Sequence, residues 1–179
     1  MVAMNERVSP QLMARAGGAC WLMTIVTGSL ALFAKGRAGT AVNLVSTGFY
    51  AAATVFVYFL LKPVSRGLSL LALFFSFLGC ALGVLRVFHL APNSVNPLGL
   101  FGLHCLLVGV LILRSTFLPR VLGALMAFAA LGWVTFFWPP LAQRLAPYNL
   151  APGILGEAAL SLWLLVKGVN VTKWREASS

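Results

Sequence analysis

Acidic residues are almost missing from this chain. Its 179 residues include 3 Asp+Glu against 13 Lys+Arg, and aspartate does not occur. That argues against carboxylate-rich metal sites and paired-carboxylate acid–base chemistry. Charge of either sign is scarce: 9% of residues are charged and 60% hydrophobic, whereas a soluble domain carries about 25% charged residues. Such a chain cannot cover a globule with polar surface, so lipid is its expected solvent. The 3 cysteines, Cys20, Cys80 and Cys105, lie inside apolar runs without a Cys-x-x-Cys. An odd count without that spacing supports neither a disulfide framework nor a zinc site, and reads as small buried hydrophobes. There is no His-x-x-x-His, and no serine or cysteine stands beside a plausible base. No catalytic residue, metal or resident cofactor is therefore expected, and the chain is not expected to be an enzyme.

What is abundant is positive charge, a formal +10. In a soluble protein this would suggest nucleic acid. Here the basic residues stand singly or in pairs between apolar runs, as topology signals do. The lipid bilayer is the expected partner, not nucleic acid. A cleavable signal is not expected: the first apolar run is long enough to span and no clear small-residue cleavage site ends it. The Asn170-Val-Thr172 triplet matches the glycosylation pattern but falls in a tail expected to be cytoplasmic.

A span needs about 20 mostly apolar residues. The runs at 16–34, 38–61, 67–90, 97–113, 121–138 and 152–166 predict an all-α, polytopic transmembrane bundle of six helices. The domain plan is an N-terminal segment over 1–15, a membrane domain over 16–168 and a tail over 169–179. Pro139, Pro140 and Pro152 bound the weakest stretch, which suits a loop or a short interfacial helix. If both termini share a side, that side carries Arg7, Arg15, Lys62, Arg66, Arg114, Arg120, Lys167, Lys173 and Arg175. The other carries Lys35, Arg37 and Arg144, with Arg86 set aside. The positive-inside rule then puts both termini in the cytoplasm. Trp21, Trp163 and Trp174 fall near the inner ends, and Trp138 and Tyr148 near the outer ends, as an aromatic belt would.

The intramembrane polar residues are few. Arg86 falls near the outer end of the third run, and His89 almost a turn later. His104 lies about 10 Å below the outer surface, and Glu157 about 7 Å in from Pro152, at 1.5 Å per residue. Asn43 falls at similar depth. Glu157 is the sole acid within any run. A charge in the bilayer core costs about 2.5–3.5 kcal/mol on insertion scales, so an Arg86–Glu157 pair is expected between the third and sixth helices. Ser76, Gly79, Gly83 and Arg86 share one helix face, and Gly79-x-x-x-Gly83 allows a close neighbour. Gly153, Glu157 and Ser161 share another face, and Asn43, Thr47, Tyr50 and Thr54 a third. The candidate ion pair or ligand pocket is thus Arg86, Glu157, His104, Asn43 and Tyr50, with His89 and Ser161 secondary.

The chain also resembles a bacterial family, the membrane proteins grouped as domain of unknown function 4386. The resemblance is carried by "ARAGGACWLMTIVTGSLALFA", "FLLKPVSRGLSLLAL", "GLHCLLVGVLILRSTFLPRVLGALMAFAALGW" and "GEAALSLWLLVKGVN". Arg114, Pro119, Arg120, Gly123 and Glu157 occupy its motif positions. It implies a multi-helix protein of the bacterial inner membrane and supplies no activity. The short outer segment "APNSVNP" argues against an elaborate extracellular domain.

The expected function is a module without catalytic machinery. It would be an accessory subunit of a membrane complex, partnered by other membrane subunits, or bind a small amphiphile such as a lipid, quinone or pigment near the outer-half cluster. Two alternatives stay open: a small proton-coupled transporter using Glu157 and His104, and a pigment- or heme-binding subunit.

Overall fold

The structure, a computed structural model, describes residues 9–31, 33–90 and 96–179. Arg7 and most of the "APNSVNP" segment lie outside the described residues. The described chain is all helical: α1 (Pro10–Ala31), α2 (Gly36–Leu61), α3 (Arg66–Val87), α4 (Pro97–Arg114), α5 (Arg120–Val134), α6 (Pro139–Leu145), α7 (Leu150–Val166) and α8 (Val171–Ser178). A single 3-10 turn, Thr135–Phe137, extends α5.

Local chemistry sets the helix starts. Ser9 accepts from the Leu12 amide at 3.0 Å, with Pro10 as the first helical residue. Asn96 and Pro97 repeat the device at α4, where Asn96 accepts from the Leu98 amide at 3.1 Å. A short polar cap followed by proline satisfies an orphan donor and presets φ. This signal starts α1 six residues before the apolar run does. At the far end of α3, His89 adopts φ 58°. The Leu90 amide reaches back to the Leu85 carbonyl at 2.8 Å, the six-to-one closure that ends a helix.

Six of the eight helices close a ring. α1 packs on α2, α2 on α3, α3 on α4, α4 on α5, α5 on α7, and α7 back on α1. Small residues let three of these pairs approach. A Cβ on Gly109 would sit 2.8 Å from the Gly123 carbonyl, and one on Gly123 2.8 Å from the Gly109 carbonyl, so α4 and α5 touch backbone to backbone. Gly18 places α1 against the Ser161 and Leu165 backbone of α7. Gly156 seats α7 against Leu125 of α5. Outside the ring, Leu70, Leu71, Phe74, Phe77 and Leu78 of α3 and Ile154, Leu155, Leu162 and Val166 of α7 are exposed. Contiguous apolar surface of this extent belongs in hydrocarbon.

Among the described residues, four helical segments are long and apolar enough to cross a membrane: α2, α3, α4 and α5 with its 3-10 extension, Arg120–Phe137. Joining α6 to α7, which meet at 81°, makes a fifth. The protein is thus a multi-pass membrane protein by length and composition. α1 falls outside this group; it carries Gln11, Arg15, Thr24, Thr27 and Ser29 along with its apolar residues. α7 has 17 residues and α6 only 7.

The end of the ring holding the C-terminus is tied together by backbone contacts. The Gln11 amide donates to the Lys167 carbonyl at 2.9 Å, and its oxygen accepts from the Val169 amide at 3.1 Å. The Asn170 amide donates to the Phe117 carbonyl at 3.1 Å, and the Trp174 indole to the Leu60 carbonyl at 2.8 Å. Gly168 makes the turn at φ 70°, a conformation open to glycine at little cost.

Candidate functional site

Glu157 sits seven residues into α7, about 10 Å from its start at 1.5 Å per residue. The inward stripe of α7 is Gly153, Glu157, Leu160, Ser161 and Leu164, all buried. Glu157 is 6% exposed. It is held by neutral donors from three other helices. The Trp21 indole on α1 donates to Oε2 at 3.0 Å. The Trp133 indole on α5 donates to Oε1 at 2.8 Å. The Cys105 thiol on α4 donates to Oε1 at 3.4 Å. Gly153, one turn before Glu157, makes room for the second indole: a Cβ there would collide with the Trp133 ring.

Tyr50, Phe101 and His104 pack beside this clamp. Trp21 meets Tyr50 edge-on and lies tilted against His104, both at 5.8 Å between ring centres. Tyr50 lies 4.6 Å from Phe101 and 5.8 Å from His104. His104 Nδ1 is 2.9 Å from the Ala72 carbonyl. A carbonyl only accepts, so Nδ1 carries the hydrogen and, in the neutral ring, Nε2 carries the lone pair. Among the described residues, His104 Nε2 and the Tyr50 hydroxyl are buried without a hydrogen-bond partner. Thr54 donates to the Tyr50 carbonyl at 2.9 Å and pairs with the Ser76 hydroxyl at 2.7 Å.

Of the residues singled out by sequence, the ring brings Glu157, His104 and Tyr50 together, buries Ser161 on the same stripe of α7 as Glu157, and leaves Arg86, Asn43 and His89 away from this cluster. Arg86 does not pair with Glu157. It is the last residue but one of α3, and α3 lies across the ring from α7, with no contact between the two helices. Among the described residues no basic side chain reaches the Glu157 carboxyl. Gly83, expected to bring a helix close, has open space where a Cβ would be, whereas Gly79 is filled by the Phe101 ring. Asn43 is exposed and its amide turns back to the Gly39 carbonyl at 2.9 Å; the stripe of α2 turns inward only from Tyr50 onward. His89 is exposed and terminates α3. Ser161 is buried, and its hydroxyl bonds the Ala158 carbonyl at 3.0 Å.

Trp21, Trp133 and Cys105 are the partners that sequence reasoning missed. Trp21 reads as part of an interfacial belt, yet it is 1% exposed in the ring interior. Trp138 and Tyr148 are indeed exposed near one end. The available signal was Gly153 four residues before the lone acid, which opens a ring-sized slot on the same face. Among the described residues no three His, Cys, Asp or Glu side chains gather as a metal site. Glu157 with Cys105 offers two ligands at most. The chemistry the cluster can perform is proton exchange and hydrogen bonding. The carboxylate accepts from all three donors, whereas the acid form must turn one oxygen into a donor.

The chain was compared with known proteins. Residues 94–168 match the family model DUF4386, a domain of unknown function. An uncharacterized protein of Archaeoglobus fulgidus is 33% identical over 128 residues, a match covering 66% of this chain and 76% of that protein. No solved structure matches. The family match takes in Cys105, Trp133 and Glu157, so three of the four clamp residues lie within it. With an archaeal relative matched over most of its length and the family model covering α4 to α7, this chain belongs to the DUF4386 family.

Proposed function

We propose that this protein is a non-enzymatic module of the bacterial inner membrane that binds and releases a proton at Glu157 as part of small proton-coupled transport. The observation that carries the reading is the clamp itself. A lone acid is buried inside the ring and held by two indoles and a thiol, with no cation beside it among the described residues. Ionisable residues within membrane-spanning segments are rare and mark proton and ion paths. Protonation changes the hydrogen bonds this carboxyl can make, and its partners come from α1, α4 and α5. A change at one atom is thereby felt by four helices of the ring.

The reading treats all six ring helices as spans, with α1 and α7 completed by their neighbours, and places both termini in the cytoplasm. Arg15, Lys62, Arg66, Arg114, Arg120, Lys167, Lys173 and Arg175 then share the inner end. It favours a proton over an amphiphile because Trp21, Tyr50, Phe101 and His104 pack into the space beside the carboxyl. An amphiphile pocket is typically about 300 Å³ or more.

The test is proton flux into liposomes carrying the purified protein, followed with an internal pH dye under an imposed potential. Glu157→Gln keeps an acceptor oxygen for the indoles and removes the titrating group. Flux is expected with the native protein and lost in the variant. Equal flux in the two proteins, or none in either, rejects the reading.

A further inference from the structure

A second polar site lies apart from the carboxyl, between α2, α3 and α4. A cavity of about 10 Å³ opens there, lined by Thr54, Leu61, Ser69, His104, Val108 and Leu111 among others. That volume is close to what one water molecule occupies by the same measure. Two of the lining side chains present buried polar atoms without partners among the described residues: His104 Nε2 and the Ser69 hydroxyl. His104 is 1% exposed and Ser69 2%. Leaving such groups unsatisfied in an apolar interior is costly, and ordered water is the usual remedy.

We infer that this cavity is a binding site for a single water molecule bridging His104 and Ser69. Hydrogen accounting assigns its orientation. Nδ1 gives its hydrogen to the Ala72 carbonyl, so the neutral ring needs a donor at Nε2, and the water supplies one hydrogen. The Ser69 hydroxyl donates to the water oxygen. Thr54, whose hydroxyl oxygen already meets the Ser76 hydroxyl and whose hydrogen is directed to Tyr50 or Ser76, and Tyr58 are the other lining residues with hydroxyls toward which the second water hydrogen can turn. The site has the two to four polar partners that a buried water requires. Ser69 stands three residues after Arg66, about 5 Å along α3, and Leu61 is the last residue of α2. The cavity therefore lies toward the end of the ring that carries Arg66 and Arg114. This holds whether or not Glu157 carries protons.

The deciding experiment is a structure of the full protein in a lipid nanodisc at a resolution that shows ordered water. The expected result is one water peak within hydrogen-bond distance of both His104 Nε2 and Ser69 Oγ. A cavity without density, or a peak touching neither atom, overturns the inference. Water-edited solid-state NMR of the native protein gives an independent reading. His104 ring signals should build up early after transfer from water, and Ser69→Ala should delay them. Slow build-up in the native protein, equal to that of dry core residues such as Met126, also overturns it. Should Ser69→Ala fail to fold, the comparison of His104 with Met126 in the native protein decides alone.

Discussion

Replacing Trp133 by phenylalanine removes one donor from the carboxyl while keeping an aromatic ring over Gly153. Oε1 loses its 2.8 Å indole partner and retains only the Cys105 thiol at 3.4 Å, and a thiol is a weak donor. Oε2 keeps Trp21. Hydrogen bonds between helices in membrane proteins average about 0.6 kcal/mol in double-mutant cycles and reach about 1.7. The upper end applies here, since the acceptor is a carboxyl oxygen and no basic side chain reaches it among the described residues. We therefore expect a coupling of about 1.5 kcal/mol between Trp133→Phe and Glu157→Met. Each single change also carries its own packing loss, which the cycle removes. The assay is reversible unfolding in mixed micelles with rising denaturing detergent, read by helical circular dichroism for the native, single and double variants. The double variant should lose less stability than the two singles added. Losses that add to within about 0.5 kcal/mol would refute the clamp as an energetic unit.

Other outcomes follow from close contacts and orientation. Gly123→Ala drives a methyl into the Gly109 carbonyl and should destabilise by about 1–3 kcal/mol, the usual range for overpacking, in the same unfolding assay. Gly79→Ala meets the Phe101 ring while Gly83→Ala meets nothing. The first should lower stability, and the second should leave it unchanged or raise it by up to about 1 kcal/mol through helix propensity. Orientation is tested by cysteine labelling with an impermeant maleimide on intact cells. Gln143→Cys should be labelled and Ser178→Cys protected until the membrane is opened. The reverse pattern would invert the assigned topology. The native cysteines, buried or half-buried, keep the background low.

The membrane character of the chain was legible before any fold, because 60% hydrophobic residues broken by single basic ones leave no other solvent. The apolar helices were legible in outline, although α1 begins six residues before its apolar run and α8 forms in what reads as a plain tail, and Glu157 stood out as the sole intramembrane acid. Its partner was not legible. Opposite charge makes Arg86 the natural choice when only depth along a helix is known, since sequence reports depth but not the angular order of helices around a ring. The tertiary order α1–α2–α3–α4–α5–α7 places α3 across from α7 and puts α1, α4 and α5 within reach instead. Tryptophan compounds the difficulty: its indole is equally at home in the interface and as a buried donor. Only packing separates exposed Trp138 from buried Trp21. The sequence by itself determined the solvent, the apolar runs and the presence of one acid within them. Which side chains meet that acid was decided by the closing of the ring, because contacts between helices distant in the chain depend on glycine-sized gaps, such as Gly153 beneath Trp133, that match only once both helices are in place.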